Sequence, residues 1–205
     1  MKWKDKIAIL LHIASDLQTI HSKNRIHRDL HSGNILQNSL HDAYIADLGL
    51  SISTNMTEHS NRCGVLPYMA PEVLKNEPYI TASDIYSFGI IMWEISAGKP
   101  NYQNNIDLIC NGLRPKFSEE IPSPYTELAN RCMEQIAYER PSARDIQEVL
   151  NGWTKTNYYV NIFEKADKKI DNFKAEHTTS FCENSIFKHS SINSEILFIL
   201  YLNDA

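Results

Sequence analysis

The sequence predicts an α+β domain that is mainly α-helical and carries one small β-hairpin. Three stretches lead there. Residues 4–22 keep apolar side chains at helical spacing, and Asp84 to Ala97 is apolar on nearly every face. Two short apolar runs, Ile35-Leu36 and Tyr44-Ile45-Ala46, flank the polar stretch Gln37–Asp42. The first pattern predicts an amphipathic helix, the second a helix buried in the middle of a domain, and the third a hairpin.

Taken in order, Ile7, Leu10, Leu11, Ala14, Leu17 and His21 form the stripe of the first helix. The hairpin that follows brings Asn34, before its first strand, beside Asp47, after its second. Ser51 to Arg62 is polar and aperiodic, which predicts a loop. In the buried helix, Thr81 with Asp84 suits a capping box, and Gly98 and Pro100 suit a stop. Shorter helices are predicted at about 104–111 and 125–137. A last one starts at Ser142, whose partner Asp145 fits S-x-x-D, and runs to about Trp153. Residues 154–205 turn rich in Lys, Asn, Ser and Thr, and read as a weakly ordered tail outside a domain of residues 1–153. Within that tail Ile162, Ala166, Ile170 and Phe173 could line one helix face, and Ile196–Leu202 could be a strand or helix turn.

A chain of 205 residues can bury one sizeable core, and its 42% hydrophobic and 22% charged content is that of a soluble globular protein. The net charge of −5 gives no reason to expect nucleic acid or an anionic membrane as a partner. Cys63, Cys110, Cys132 and Cys182 are scattered with no C-x-x-C pair, which argues for free thiols in a reducing, cytoplasmic setting. The run Ile196–Leu202 is too short to span a bilayer. Lys2, Lys4 and Lys6 precede an apolar stretch, but Asp5, His12 and the lack of a small-residue cleavage site argue against a signal peptide.

The chemistry is concentrated in His27-Arg28-Asp29-Leu30-His31-Ser32-Gly33-Asn34 and in Asp47-Leu48-Gly49. Asp and Asn offer oxygen ligands suited to hard Mg²⁺, and phosphoryl transfer needs charge neutralisation and in-line positioning more than covalent help. These motifs, with Ala70-Pro71-Glu72, Asp84 to Gly89 and Arg140-Pro141 in the same order, resemble the eukaryotic protein kinases over roughly residues 3–153. The resemblance implies the C-terminal lobe of that fold, with ATP and Mg²⁺ as cofactors and a protein as substrate. Asp29 then stands at the catalytic base, and Asn34 and Asp47 at the two metal ligands. Gly49 gives the metal loop its freedom to turn. Arg28 matches the arginine that pairs with a phosphate on the activation loop, for which Ser51, Ser53, Thr54, Thr57 and Ser60 are candidates without a choice among them. Glu72 and Arg140 match a structural ion pair, and Asp84 the residue that holds the catalytic loop through backbone N–H groups.

The departures are as informative. The seven glycines, at 33, 49, 64, 89, 98, 112 and 152, form no G-x-G-x-x-G loop. Ile7-Ala8-Ile9-Leu10 echoes V-A-I-K with Leu10 in place of the lysine, so the N-terminal β-lobe that clamps the nucleotide is not encoded in these residues. Leu48 replaces the Phe of D-F-G. His31 stands where Ser/Thr kinases carry a phosphate-binding Lys, and is placed among the cofactor-binding residues with a weaker contact. Val65 stands where those kinases usually have Thr, yet Tyr68-Met69-Ala70-Pro71-Glu72 resembles the Ser/Thr and tyrosine-kinase-like groups, which favours Ser/Thr over Tyr. Two functions compete: a protein kinase whose chain alone has negligible activity, and a non-catalytic module that binds a partner protein through the face turned toward the missing lobe.

Overall fold

A computed structural model describes residues 1–39, 41–55, 63–97 and 105–182, with side chains to residue 172. Helix α1 (Trp3–Ser22) buries Trp3, Ile7, Ile9, Leu10, Ile13, Ala14 and Leu17. Relative to the predicted stripe, Ile13 replaces the half-buried Leu11 on the inner face. Strand β1 (Arg25–Ile26) pairs antiparallel with β4 (Ile52–Ser53), so the predicted loop from Ser51 opens with a short strand. Its remainder from Met56 to Arg62 lies outside the described residues.

Strands β2 (Ile35–Ser39) and β3 (Asp42–Ile45) form the hairpin, in the register Ile35↔Ile45, Leu36↔Tyr44, Gln37↔Ala43. Its outer edge is covered by α1: Asp16 accepts from Ile45 N (2.9 Å) and His12 Nδ1 from Ala43 N (3.3 Å). An exposed edge strand would leave those donors unpaired, and α1 side chains satisfy them.

After the short helix α2 (Pro71–Leu74), α3 (Thr81–Ala97) runs through the centre, buried from Ser83 to Glu94. It begins earlier than Asp84, and its start is not the predicted Thr81–Asp84 box. Ser83 Oγ accepts from Ile80 N (3.2 Å) instead, because Asp84 is committed to the loop of residues 27–28. The predicted stop at Gly98 and Pro100 lies outside the described residues. Helices α4 (Ile106–Cys110) and α5 (Ser123–Cys132) are shorter than predicted, α5 being followed by a separate 3₁₀ turn at Ala137–Glu139. Gly89 lets α5 approach α3: a Cβ there would lie 2.6 Å from Met133 Cγ and 2.9 Å from Cys132 Cβ. Helix α6 (Ala143–Lys155) opens with the predicted box, Ser142 Oγ accepting from Asp145 N (3.2 Å) and Asp145 accepting from Ser142 N (2.9 Å).

The segment expected as a weakly ordered tail begins instead with helix α7 (Asn157–Cys182), docked on α1 and α6. The anchor is Phe163, buried with Ala166, rather than the half-buried Ile162 of the predicted face. The Phe163 ring sits 5.6 Å from Trp3 and 5.3 Å from Trp153. Asp167 accepts from Trp3 N (3.1 Å), satisfying a free donor at the start of α1. Burial raises the Asp167 carboxyl pKa, and this bond opposes the shift. The side chain of Phe173 and all of Ile196–Leu202 lie outside the described residues.

Candidate active site

The loop of residues 27–34 leaves β1 and is fixed from below by one carboxylate. Asp84, on α3 and almost fully buried, accepts from His27 N (2.8 Å) and Arg28 N (3.0 Å), and from His21 Nε2 of α1 (2.9 Å). Arg28 thereby holds a left-handed backbone (φ 75°), a conformation that costs energy for a non-glycine residue and needs such fixing. Its guanidinium lies 4.9 Å from the centre of the Tyr79 ring, and the Tyr79 hydroxyl donates to Cys63 O. The ring therefore links Arg28 to the end of the segment expected to be its phosphate-bearing partner.

His27, wholly buried, joins the two chemical motifs. Asp29 N donates to its Nδ1 (3.3 Å), which makes Nε2 the protonated nitrogen, and Nε2 donates to Ala46 O (3.1 Å). The hairpin adds a second tie, Ala46 N to Asn34 O (2.8 Å). Asn34 and Asp47 are thus held at the same end of the hairpin. Asn34 Nδ2 donates to Asp29 O (2.9 Å), which turns the amide oxygen into the atom it can offer a cation. Asp47 takes the left-handed conformation (φ 57°), and its Oδ1 accepts from Gly49 N (3.1 Å). Gly49 is not the residue with positive φ; its lack of a side chain serves close approach, since a Cβ would sit 3.0 Å from that oxygen.

Asp29 faces a cleft walled by Gly64, Val65, Tyr68 and Met69. Gly64 (φ 107°) is needed there: a Cβ would lie 3.1 Å from Arg28 O and 3.2 Å from Asp29 Oδ1. Below the cleft, Ser32 Oγ donates to Glu94 Oε1 (3.0 Å) and the Tyr68 hydroxyl to Oε2 (2.7 Å). Burial raises the Glu94 carboxyl pKa against those two bonds, and it raises that of the Tyr68 hydroxyl, with the Glu94 charge adding to it.

Glu72 and Arg140 meet as a fork, Nη1–Oε1 and Nη2–Oε2 both 2.8 Å. Ser83 Oγ donates to the same Oε1 (2.8 Å), and Arg140 also donates to Ala82 O (2.8 Å) and Glu134 O (2.8 Å). Burial works to raise the Glu72 pKa, but the Arg140 bonds and charge with the Ser83 bond outweigh it and hold the carboxyl below its usual range. Of the candidate acceptors, Ser51 takes two bonds from Arg25 (Nη2 2.6 Å, Nε 3.2 Å), not from Arg28. The Ser53 hydroxyl accepts from Asn55 N (3.4 Å), Thr54 N donates to Asn24 O (2.9 Å), and Thr57 and Ser60 lie outside the described residues.

Among the described residues no three His, Cys, Asp or Glu side chains cluster as a metal cage. One carboxylate and one amide oxygen fit a different cation chemistry, that of Mg²⁺, which keeps few protein ligands and takes the rest from phosphate and water. The residues present fit a Mg-nucleotide in that sense.

A sequence model of the protein tyrosine and serine/threonine kinase family matches residues 1–150. This chain belongs to the protein kinase family. A probable serine/threonine-protein kinase of Dictyostelium discoideum is 33% identical over 156 residues, covering 73% of this chain and 12% of that protein. The serine/threonine-protein kinase STY17 of Arabidopsis thaliana is 31% identical over 157 residues, 73% of this chain and 28% of its own length. A probable LIM domain-containing serine/threonine-protein kinase of D. discoideum is 33% identical over 151 residues, 71% of this chain and 16% of its own. The chain thus spans less than a third of each of these relatives.

Two parts of this site escape a motif reading. His27 lies inside the recognised motif, but its bridge to Ala46 depends on the tertiary fold. Glu94 is signalled by its chemistry, being, with Asp84, one of two acids in a largely apolar helix.

Proposed function

We propose that this chain carries the acceptor and metal half of a kinase active site, for transfer of the ATP γ-phosphoryl group to a protein Ser or Thr hydroxyl. The observation that carries the reading is the 2.8 Å bond from Ala46 N to Asn34 O, which sets an amide and the Asp47 carboxylate at one end of the hairpin, with Asn34 tied to Asp29. Mg-ATP supplies the phosphoryl group and the cation that neutralises its charge. Asp47 and Asn34 hold that cation through oxygen atoms. Asp29 orients the acceptor hydroxyl and takes its proton late, as suits a carboxylate that is a weak base at neutral pH. Serine/threonine specificity is supported by the names of the relatives and by the Tyr68–Glu72 sequence. The free thiols of Cys63, Cys110 and Cys132 suit a reducing, cytoplasmic setting.

A second reading, a partner-binding module, is favoured by apolar side chains exposed near the hairpin. Tyr44, Leu48 and Leu50 are 40%, 49% and 44% exposed on and just after the hairpin, beside the metal loop. Such apolar exposure suits a protein partner or a nucleotide-clamping lobe. The 205 residues contain no Gly-rich loop and no V-A-I-K lysine, so we expect negligible turnover from them alone.

The two readings separate when the chain is joined behind a kinase N-terminal lobe. Labelled γ-phosphate is then expected on Ser and Thr of a general protein acceptor, with Asp29→Ala or Asp47→Ala losing about 10²-fold or more. Label on Tyr overturns the specificity, and transfer that is absent or indifferent to Asp47 overturns the kinase reading.

A further inference from the structure

His31 occupies a position that the family reading assigns to phosphate contact, yet its ring is turned elsewhere. Gly33 N donates to His31 Nδ1 (3.0 Å). A backbone N–H can only donate, so Nδ1 is the bare nitrogen and the neutral ring carries its proton on Nε2. That Nε2 lies 3.5 Å from Asp29 Oδ1. The oxygen it approaches is buried and has no hydrogen-bond partner, whereas the other Asp29 oxygen faces Asn34 Nδ2 at 3.4 Å. A buried carboxylate oxygen left without a donor is costly, and it marks where a donor belongs.

The seat of the ring is built for this orientation. A Cβ on Gly33 would lie 2.8 Å from His31 Cε1 and 2.9 Å from Nδ1, so only glycine leaves room for the imidazole. On its other side the ring faces Tyr68, 5.9 Å between centres. Gly64 closes over the same Asp29 oxygen. The Nε2–Oδ1 distance exceeds an ordinary N–H···O bond by a few tenths of an ångström, and catalytic hydrogen bonds in unliganded sites are commonly long and tighten when the acceptor binds.

We propose that His31 is a positioning residue for Asp29: its neutral Nε2–H is the donor that fixes the rotation of the carboxylate, in place of a lysine contact to phosphate. The role of Asp29 in this statement rests on the kinase reading above. The His31–Asp29 coupling does not, so it is tested without turnover. The test is NMR of the full 205-residue chain at pH 8, where tautomer rather than charge is read. Long-range ¹H–¹⁵N spectra of labelled histidine are expected to show His31 with a protonated Nε2 and bare Nδ1, and Asp29→Asn to shift the Nε2–H resonance. In the reciprocal experiment the Asp29 carboxyl carbon is followed. His31→Gln, which keeps a donor at the Nε2 place, is expected to hold its resonance near wild type, and His31→Asn to move it. A protonated Nδ1, an Nε2–H signal unmoved by Asp29→Asn, or Gln and Asn variants that shift Asp29 equally would each overturn the proposal. Loss of phosphoryl transfer by itself overturns only the kinase reading.

Discussion

Asp84 shows how much one carboxylate carries at this site. It satisfies two backbone N–H groups of the loop of residues 27–34 and a histidine, on a helix start where its own capping role is given up. Asparagine keeps the shape but has only one acceptor atom, so Asp84→Asn is expected to cost about 2–3 kcal/mol in chemical denaturation, with the His27 or Arg28 amide losing exchange protection. An unchanged midpoint contradicts that role of Asp84. Glu72 makes a pH prediction. Its folded pKa lies below the ordinary 4.5, so its stabilisation is present above that value and is lost as pH falls through the folded one. Glu72→Gln should therefore flatten the acid arm of a Tm-against-pH curve, and lower stability at pH 7 by about 3–5 kcal/mol because Arg140 stays buried without its charge partner. Glu94 has the opposite sign. Its raised folded pKa means that the stability it contributes is fully present below 4.5 and lost as pH rises through the folded value. The stability of Glu94→Gln relative to wild type is therefore expected to rise between pH 4.5 and pH 8. A relative stability that falls over that range contradicts it.

At the scale of elements, the hairpin was legible because it is local: Asn34 and Asp47 are brought together by one turn, and the short apolar runs that flank that turn are visible in the chain. The cap at Ser142 and Asp145 was legible for the same reason. The two-residue strands β1 and β4 were not, since pairs so short leave no period to read and are held by Ile26 and Ile52 packing from elsewhere. Asp84 misled as a capping residue because a tertiary contact overrode a local one. Helix α7 escaped a local reading as part of the fold because its Asp167 and the Trp3 amide that bonds to it are 164 residues apart, beyond any local pattern. The docking has a measurable consequence: Phe163→Ala should lower stability by about 3–5 kcal/mol and shift tryptophan emission to the red, as Trp3 and Trp153 lose their shared ring. A loss below about 1 kcal/mol contradicts docking. Gly89→Ala tests the α3–α5 contact in the same assay, at about 1–3 kcal/mol for overpacking against Met133 and Cys132.

For the molecule as a whole, the parts are arranged in order from inside out. The buried helix α3 supplies Asp84 and Glu94, α1 supplies His21 and covers the hairpin edge through Asp16 and His12, and α7 closes over the far end of α1. Among the described residues no helix is long and apolar enough to cross a membrane. What this frame holds steady is a small constellation, Asp29, Asn34 and Asp47, with His27 bridging its two loops. Family membership was legible from those motifs, whereas the turn of His31 toward Asp29 depended on the clearance at Gly33, a contact that no motif spells out. On the proposed function, Asn34 and Asp47 form one cation and phosphate site beside Asp29. Amide shift mapping of the 205-residue chain, titrated with Mg²⁺ alone, ATP alone and both together, tests it most directly. Changes are expected at Asp29, Asn34, Asp47 and Gly49 that need both components and vanish in Asp47→Ala; changes located elsewhere, or indifferent to that substitution, would overturn the shared site.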